Sequence, residues 1–213
     1  MKKLFVPIVA LATMCLFTNC QKDETAPEIT IPGDALTIDL GDATAALKGV
    51  TAKDDKDGDV TSSLKVTAGL DYVGVGTLTY SVEDKAGNVA TKTRPVTIKP
   101  DKLFGQYVLT QTDTSGSSSY PVIVDKDPDV STVNVLVTNI YNNTTKWIFA
   151  GDGKTMELKP IKTYMLDEGT GDAGTVTTSL KYAIVDGKYR IFSGTYSIDW
   201  EQSLDESYTL TFK

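Results

Sequence analysis

Thr77-Leu78-Thr79-Tyr80-Ser81-Val82, followed by Glu83-Asp84-Lys85-Ala86-Gly87-Asn88 and then Val89, is the passage on which the fold turns. The first six residues alternate polar and apolar, which is the period of a strand with one buried face. The next six are turn formers that include Gly and Asn, residues that tolerate positive φ, and Val89 begins a new β-branched run. A hairpin is therefore predicted. Outward from it, the text from Pro27 to Pro100 breaks into short strand-like segments: Glu28 to Ile31, Leu36 to Leu40, Val50 to Lys53, Leu64 to Thr67, Gly76 to Val82 and Ala90 to Ile98. Short β segments broken by Gly, Asp and Asn predict a small β-sandwich.

Lys99-Pro100-Asp101 reads as a linker of a few residues, so two neighbouring domains should touch. Beyond it, further strands are predicted over Phe104 to Thr112, Tyr120 to Val124, Thr132 to Ile140, Lys146 to Ala150, Thr155 to Leu158, Thr175 to Val185, Tyr189 to Trp200 and Ser207 to Phe212. Asp186-Gly187 is a favoured hairpin turn between two of them. Tyr208, Leu210 and Phe212 share one strand face, with Ser207, Thr209 and Thr211 opposite. Such a meander closes as an up-and-down antiparallel barrel, removing its edges, or remains a two-sheet sandwich. The expected class is all-β, with a leader over 1–19, a linker over 20–26, a sandwich over 27–99 and a second β domain over 101–213.

Three resemblances sharpen this outline. The order Pro27-Glu28-Ile29, Val50-Thr51-Ala52-Lys53-Asp54-Asp55-Lys56-Asp57-Gly58-Asp59-Val60-Thr61, Tyr80 to Asn88 and Val96-Thr97-Ile98 resembles the bacterial immunoglobulin-like domains found as surface-protein repeats. That resemblance implies a spacer or presenting role more than chemistry. Phe104-Gly105-Gln106-Tyr107-Val108-Leu109 resembles the Gly-x-Tyr or Gly-x-Trp start of lipocalin-like domains, which implies that the second domain closes as a barrel. Lys2 and Lys3 precede an apolar run from Leu4 to Phe17 that is too short to span a bilayer, the build of a secretory signal peptide. The cysteine beyond it, Cys20, makes the leader resemble a bacterial lipoprotein signal, which implies acylation of Cys20. Gln21-Lys22-Asp23-Glu24 resembles the Bacteroidota-type export signal, which implies a surface-exposed position on the outer membrane. The whole arrangement resembles small accessory lipoproteins of glycan-uptake systems, and so implies outer-membrane transporter proteins as partners.

Composition narrows the chemistry. The chain has no histidine, and its two cysteines are Cys15, inside the apolar run, and Cys20. Ser-His-Asp and Cys-His devices and the usual zinc sets are thereby excluded. Carboxylate pairs such as Asp199 with Glu201, Asp205 with Glu206 and Asp167 with Glu168 could run glycoside hydrolysis only if they flanked a cleft. The expectation is a protein that is not an enzyme. With 21 Lys and Arg against 28 Asp and Glu, and Arg94 and Arg190 as the sole arginines, the net charge of −7 argues against nucleic acid as a partner.

What remains is binding. Eight of the ten tyrosines and both tryptophans lie in the second domain. Flat aromatic faces stack on sugar C–H surfaces while amides read hydroxyls, so Trp200, Tyr164, Trp147, Tyr141, Asn142 and Asn143 are the candidate glycan contacts. Against this stands the ordinary use of Tyr and Trp as core residues of strands; Trp147 and Phe149 share a face expected to be interior. The alternating acids Asp55, Asp57 and Asp59 could converge on calcium, but their spacing is not that of an EF-hand. A surface Asp-Gly turn accounts for the loop without metal, and calcium held there would stiffen it rather than catalyse. No other cofactor is expected. The alternative to a ligand-binding surface protein is a structural or protein-interaction lipoprotein of an outer-membrane complex.

Overall fold

The structure is a computed structural model that describes residues 22–127, 133–140, 145–161, 164–166, 173–200 and 206–213. The leader, Cys20 and Gln21 lie outside these residues. The first domain is a sandwich of two sheets. One contains β1 (Glu28–Thr30), β3 (Thr51–Asp54) and β4 (Gly58–Asp59); the other has the order β2 (Leu36–Asp39), β7 (Val89–Lys99), β6 (Gly74–Glu83), β5 (Lys65–Ala68). β6 and β7 are the predicted hairpin, with Glu83 paired to Val89. The alternation read from the sequence is carried out in space: Leu78, Tyr80 and Val82 are buried, and Thr77, Thr79 and Ser81 are not. They meet Ile29 and Ala52 of the facing sheet in one core. The sandwich is immunoglobulin-like.

A helix that the strand pattern did not announce, α1 (Ala43–Leu47), caps this core. Asp42 starts it by accepting the Ala45 N–H at 2.9 Å, and the buried Tyr80 hydroxyl donates to Ala46 O at 2.9 Å.

After Pro100 the chain makes a tight 3-10 turn over Asp101–Leu103 and enters the second domain. Its strands are β8 (Gly105–Thr112), β9 (Ser117–Lys126), β10 (Asn134–Ile140), β11 (Thr145–Gly151), β12 (Glu157–Pro160), β13 (Tyr164–Leu166), β14 (Ala173–Val185), β15 (Lys188–Trp200) and β16 (Glu206–Phe212). Consecutive strands pair up to β12, β16 returns to pair β8, and β12 pairs β14 through Glu157↔Lys181 and Leu158↔Leu180. The sheet therefore closes as an eight-stranded antiparallel barrel, with β13 flanking β14. Of the two architectures left open by the sequence, closure is the one formed, and it removes exposed edges. Asp186 and Gly187, with φ of 51° and 74°, make the predicted turn between β14 and β15.

The barrel interior is packed with side chains, as small barrels are. Leu109, Val122, Val137, Phe149, Leu180 and Leu210 are each almost or wholly inaccessible.

Candidate functional site

The two domains are locked at one end of the sandwich. Tyr182, on β14 of the barrel, accepts the Val73 N–H at 2.8 Å and donates to Asp71 O at 2.9 Å. Burial pushes its phenol up to about 12. Tyr189, on β15, donates to the Asp71 carboxylate, and burial followed by that same carboxylate raises its phenol well above the ordinary value. Beside them backbone meets backbone. Gly153 N–H donates to Val73 O at 2.8 Å, and a Cβ placed on Gly151 would stand 2.1 Å from Val73 O. Only glycine permits this approach of β6 to the end of β11.

The linker is built into the same seam. Leu103 is fully buried and its carbonyl accepts from Tyr107 Oη at 2.8 Å. Lys99 bridges Asp39 at 2.6 Å and Asp101 at 3.0 Å. The hydrogen bond from Lys99 holds Asp39 below the usual carboxylate range, and the bond to Asp39 raises Lys99 in turn.

Along this seam opens a cleft of about 660 Å³ lined by Gly41, the linker residues Asp101, Lys102 and Phe104, the start of β8 at Gln106 and Tyr107, Gly187 of the β14–β15 turn and the start of β15 from Lys188 to Arg190. Lys102 Nζ lies 5.9 Å from the centre of the Tyr189 ring, within cation–π range. Asp101 is engaged by Lys99, whereas among the described residues Lys102, Lys188 and Arg190 form no ion pair. The cleft is thus locally cationic in a chain of net charge −7. Sequence reasoning passed over these residues because they come from a linker, a strand start and a hairpin turn that only the fold brings together.

The predicted aromatic platform fares differently. Trp147 is 8% exposed and stacks on Tyr196 inside the barrel, with ring centres 4.8 Å apart and planes at 22°. It is a core residue, as the shared face with Phe149 implied; its indole N–H is buried with no acceptor among the described residues. Tyr164 pairs Thr175 on one side of β14, and Trp200 pairs the neighbouring Gly174 on the other. The backbone thus brings these two positions together at the barrel end remote from the sandwich; their side chains lie outside the described set. Tyr141, Asn142 and Asn143, between β10 and β11, also lie outside the described residues.

The three alternating acids do not converge. Asp57 accepts from Lys85 N at 2.7 Å and from Lys85 Nζ at 3.1 Å, bonds that hold it below its ordinary value. Asp59 turns to Thr61, accepting its N–H at 2.9 Å, and the Thr61 bonds lower it likewise. Asp55 lies instead beside Asp54 and Asp23. The Asp84-Lys85-Ala86-Gly87-Asn88 turn closes on itself, Asp84 Oδ1 accepting Asn88 N and Oδ2 accepting Asn88 Nδ2, each at 2.7 Å. Burial opposes ionisation of Asp84, but these bonds outweigh it and lower its value.

Residues 29–98 match the family described as bacterial surface protein, Ig-like domain. No curated protein sequence matches the chain. Among solved structures, the lipoprotein BT2262 from Bacteroides thetaiotaomicron is similar over 87% of this chain and 99% of its own, with 16% identity and a TM-score of 0.30. A structure of CBM51-2 in complex with GlcNAc and INT domains from Clostridium perfringens ZmpB is similar over 88% of this chain and 44% of its own, with 20% identity and a TM-score of 0.28. This chain therefore spans less than half the length of that second protein. Similarities of this degree carry nothing about ligand or partner.

Proposed function

We propose that the chain is a non-catalytic cell-surface protein, held to the outer membrane by a lipid on Cys20, that takes an acidic oligosaccharide in the cleft between its domains as an accessory of glycan uptake. The observation that supports this reading best is the gathering of Lys102, Lys188 and Arg190 around one cleft, beside Phe104, Tyr107 and Gln106. Cations that form no ion pair among the described residues, on a partly apolar wall, suit a sugar that carries a carboxylate or sulfate, with aromatic edges against its ring and an amide for its hydroxyls. Net charge is an average over the surface, and a cleft can run against it. The surface location rests on the Ig-like family match and on the leader sequence, and the uptake role rests on the order of the segments alone.

The test is affinity gel electrophoresis of the chain through neutral and acidic polysaccharides, repeated with the Lys188→Ala/Arg190→Ala double variant. Both residues are exposed, so the variant should melt where the parent does. Retardation by acidic gels alone, weakened by salt and lost in the variant, is the expected result. Free migration through every gel overturns the glycan reading and leaves a structural or protein-binding lipoprotein.

A further inference from the structure

At the end of the sandwich remote from the barrel, three carboxylates meet. Asp54 closes β3, Asp55 follows it, and Asp23 comes from the segment before β1; one oxygen of each lies within 4.8 Å of the others. Like charges at this separation repel one another. Lys56, 3.4 Å from Asp23 Oδ1, brings one positive charge against three negative ones. Asp54 adds a second and independent sign. It is 2% exposed; its Oδ1 accepts the N–H of Lys56 at 2.9 Å and of Asp57 at 2.8 Å, while Oδ2 is buried with no hydrogen-bond partner among the described residues. An unmet buried oxygen on a carboxylate is costly. Both oxygens share one carbon, so the unmet one stands at the cluster whichever of the pair is nearer.

We propose that Asp23, Asp54 and Asp55 form a calcium site that fastens residues 22–24 to the immunoglobulin-like domain. Calcium accepts roughly six to eight oxygens in adaptable geometry, and three carboxylates supply roughly three to six of them, with water for the rest. Magnesium demands a stricter octahedron and keeps its water. Zinc finds neither nitrogen nor thiolate here. A cation relieves the mutual repulsion and meets Asp54 Oδ2 in one step. The segment before β1 already leans on this surface, for Asn88 Nδ2 donates to Asp23 O at 3.2 Å and Lys56 Nζ to Lys22 O at 3.4 Å. Calcium turns those light contacts into a clamp. The site is separate from the cleft and stands whether or not a glycan binds there.

The experiment uses the full chain in mild detergent, stripped with EDTA and titrated calorimetrically with calcium chloride, with hydrogen exchange followed at residues 22–27. One calcium per chain, a raised melting temperature and slowed exchange in 22–27 are expected. Asp23→Asn, on a segment outside both sheets, should weaken binding by about tenfold or more while leaving the EDTA-state melting temperature unchanged. Asp54→Asn should abolish binding, and Lys56→Met should tighten it by removing a competing cation. Absence of binding at calcium up to about 10 mM, well above the range of extracellular modules, overturns the proposal. So does binding that is indifferent to both Asp23→Asn and Asp55→Asn.

Discussion

One phenol does much of the joining of the two domains. Tyr182 is 1% exposed and satisfies the Val73 N–H and the Asp71 carbonyl together, two backbone groups of a loop that has no strand partner for them. Tyr182→Phe keeps the ring and strands both groups, so a loss of about 1–3 kcal/mol is expected in urea unfolding. This role is invisible in the sequence, where Tyr182 is one of many aromatic strand residues in a segment whose aromatic content points to sugar. Whether an aromatic ring faces a core, a partner domain or solvent depends on which strand lies beside it, and for Trp147 and Tyr182 that strand or loop is distant in the chain. The acids tell the same story. Alternation singled out Asp55, Asp57 and Asp59, yet Lys85 and Thr61 claim the latter two, and the residue buried among them is Asp54.

Among the elements, β6 carries two duties, a core strand along its length and a docking edge at its start. At that start Gly76 faces Gly153, and an added Cβ would come within 2.5 Å of the Gly153 carbonyl oxygen. Gly76→Ala and Gly151→Ala should each cost about 1–3 kcal/mol by forcing backbone from backbone, with no contribution from φ since neither residue is left-handed. Denaturant midpoints of the two variants check this, and small-angle scattering should report a longer molecule. Strands of this kind were legible: the β6–β7 hairpin, the Asp186-Gly187 turn and the eight barrel strands all follow from alternation and turn residues. Closure was left open by the strand pattern, since the β12–β14 pairing links residues with no local signal for each other, and was favoured only by the lipocalin-like entry of the domain. β13 and α1 were too short to stand out by periodicity, although Asp42 before Ala43-Thr44-Ala45-Ala46-Leu47 is a helix start in miniature.

At the scale of the molecule, the seam makes the two domains one cooperative body at neutral pH. Tyr182 and Tyr189 both have phenols raised in the folded state, so the stability they contribute is whole below the ordinary phenol value of 10 and falls as the pH climbs through the raised values, about 12 for Tyr182. Calorimetry should give a single transition at pH 7 that moves down steeply above pH 10 and divides into two as the seam ionises; Tyr189→Phe should soften that alkaline slope. β6 and β7 run between the poles of the sandwich, and at about 3.3 Å per residue the ten residues of β6 hold the acidic cluster roughly 30 Å from the seam. That axis is also a line of force. Were the proposed ligand held at the cleft and the chain anchored ahead of residue 22, a pull between the two would run along the strands, at right angles to the hydrogen bonds between β6 and β7 and beside the parallel β2–β7 ladder. Loaded in that direction, the bonds share the tension and must slide together, where bonds pulled open from one end would fail in turn. The sandwich is strung to resist tugging.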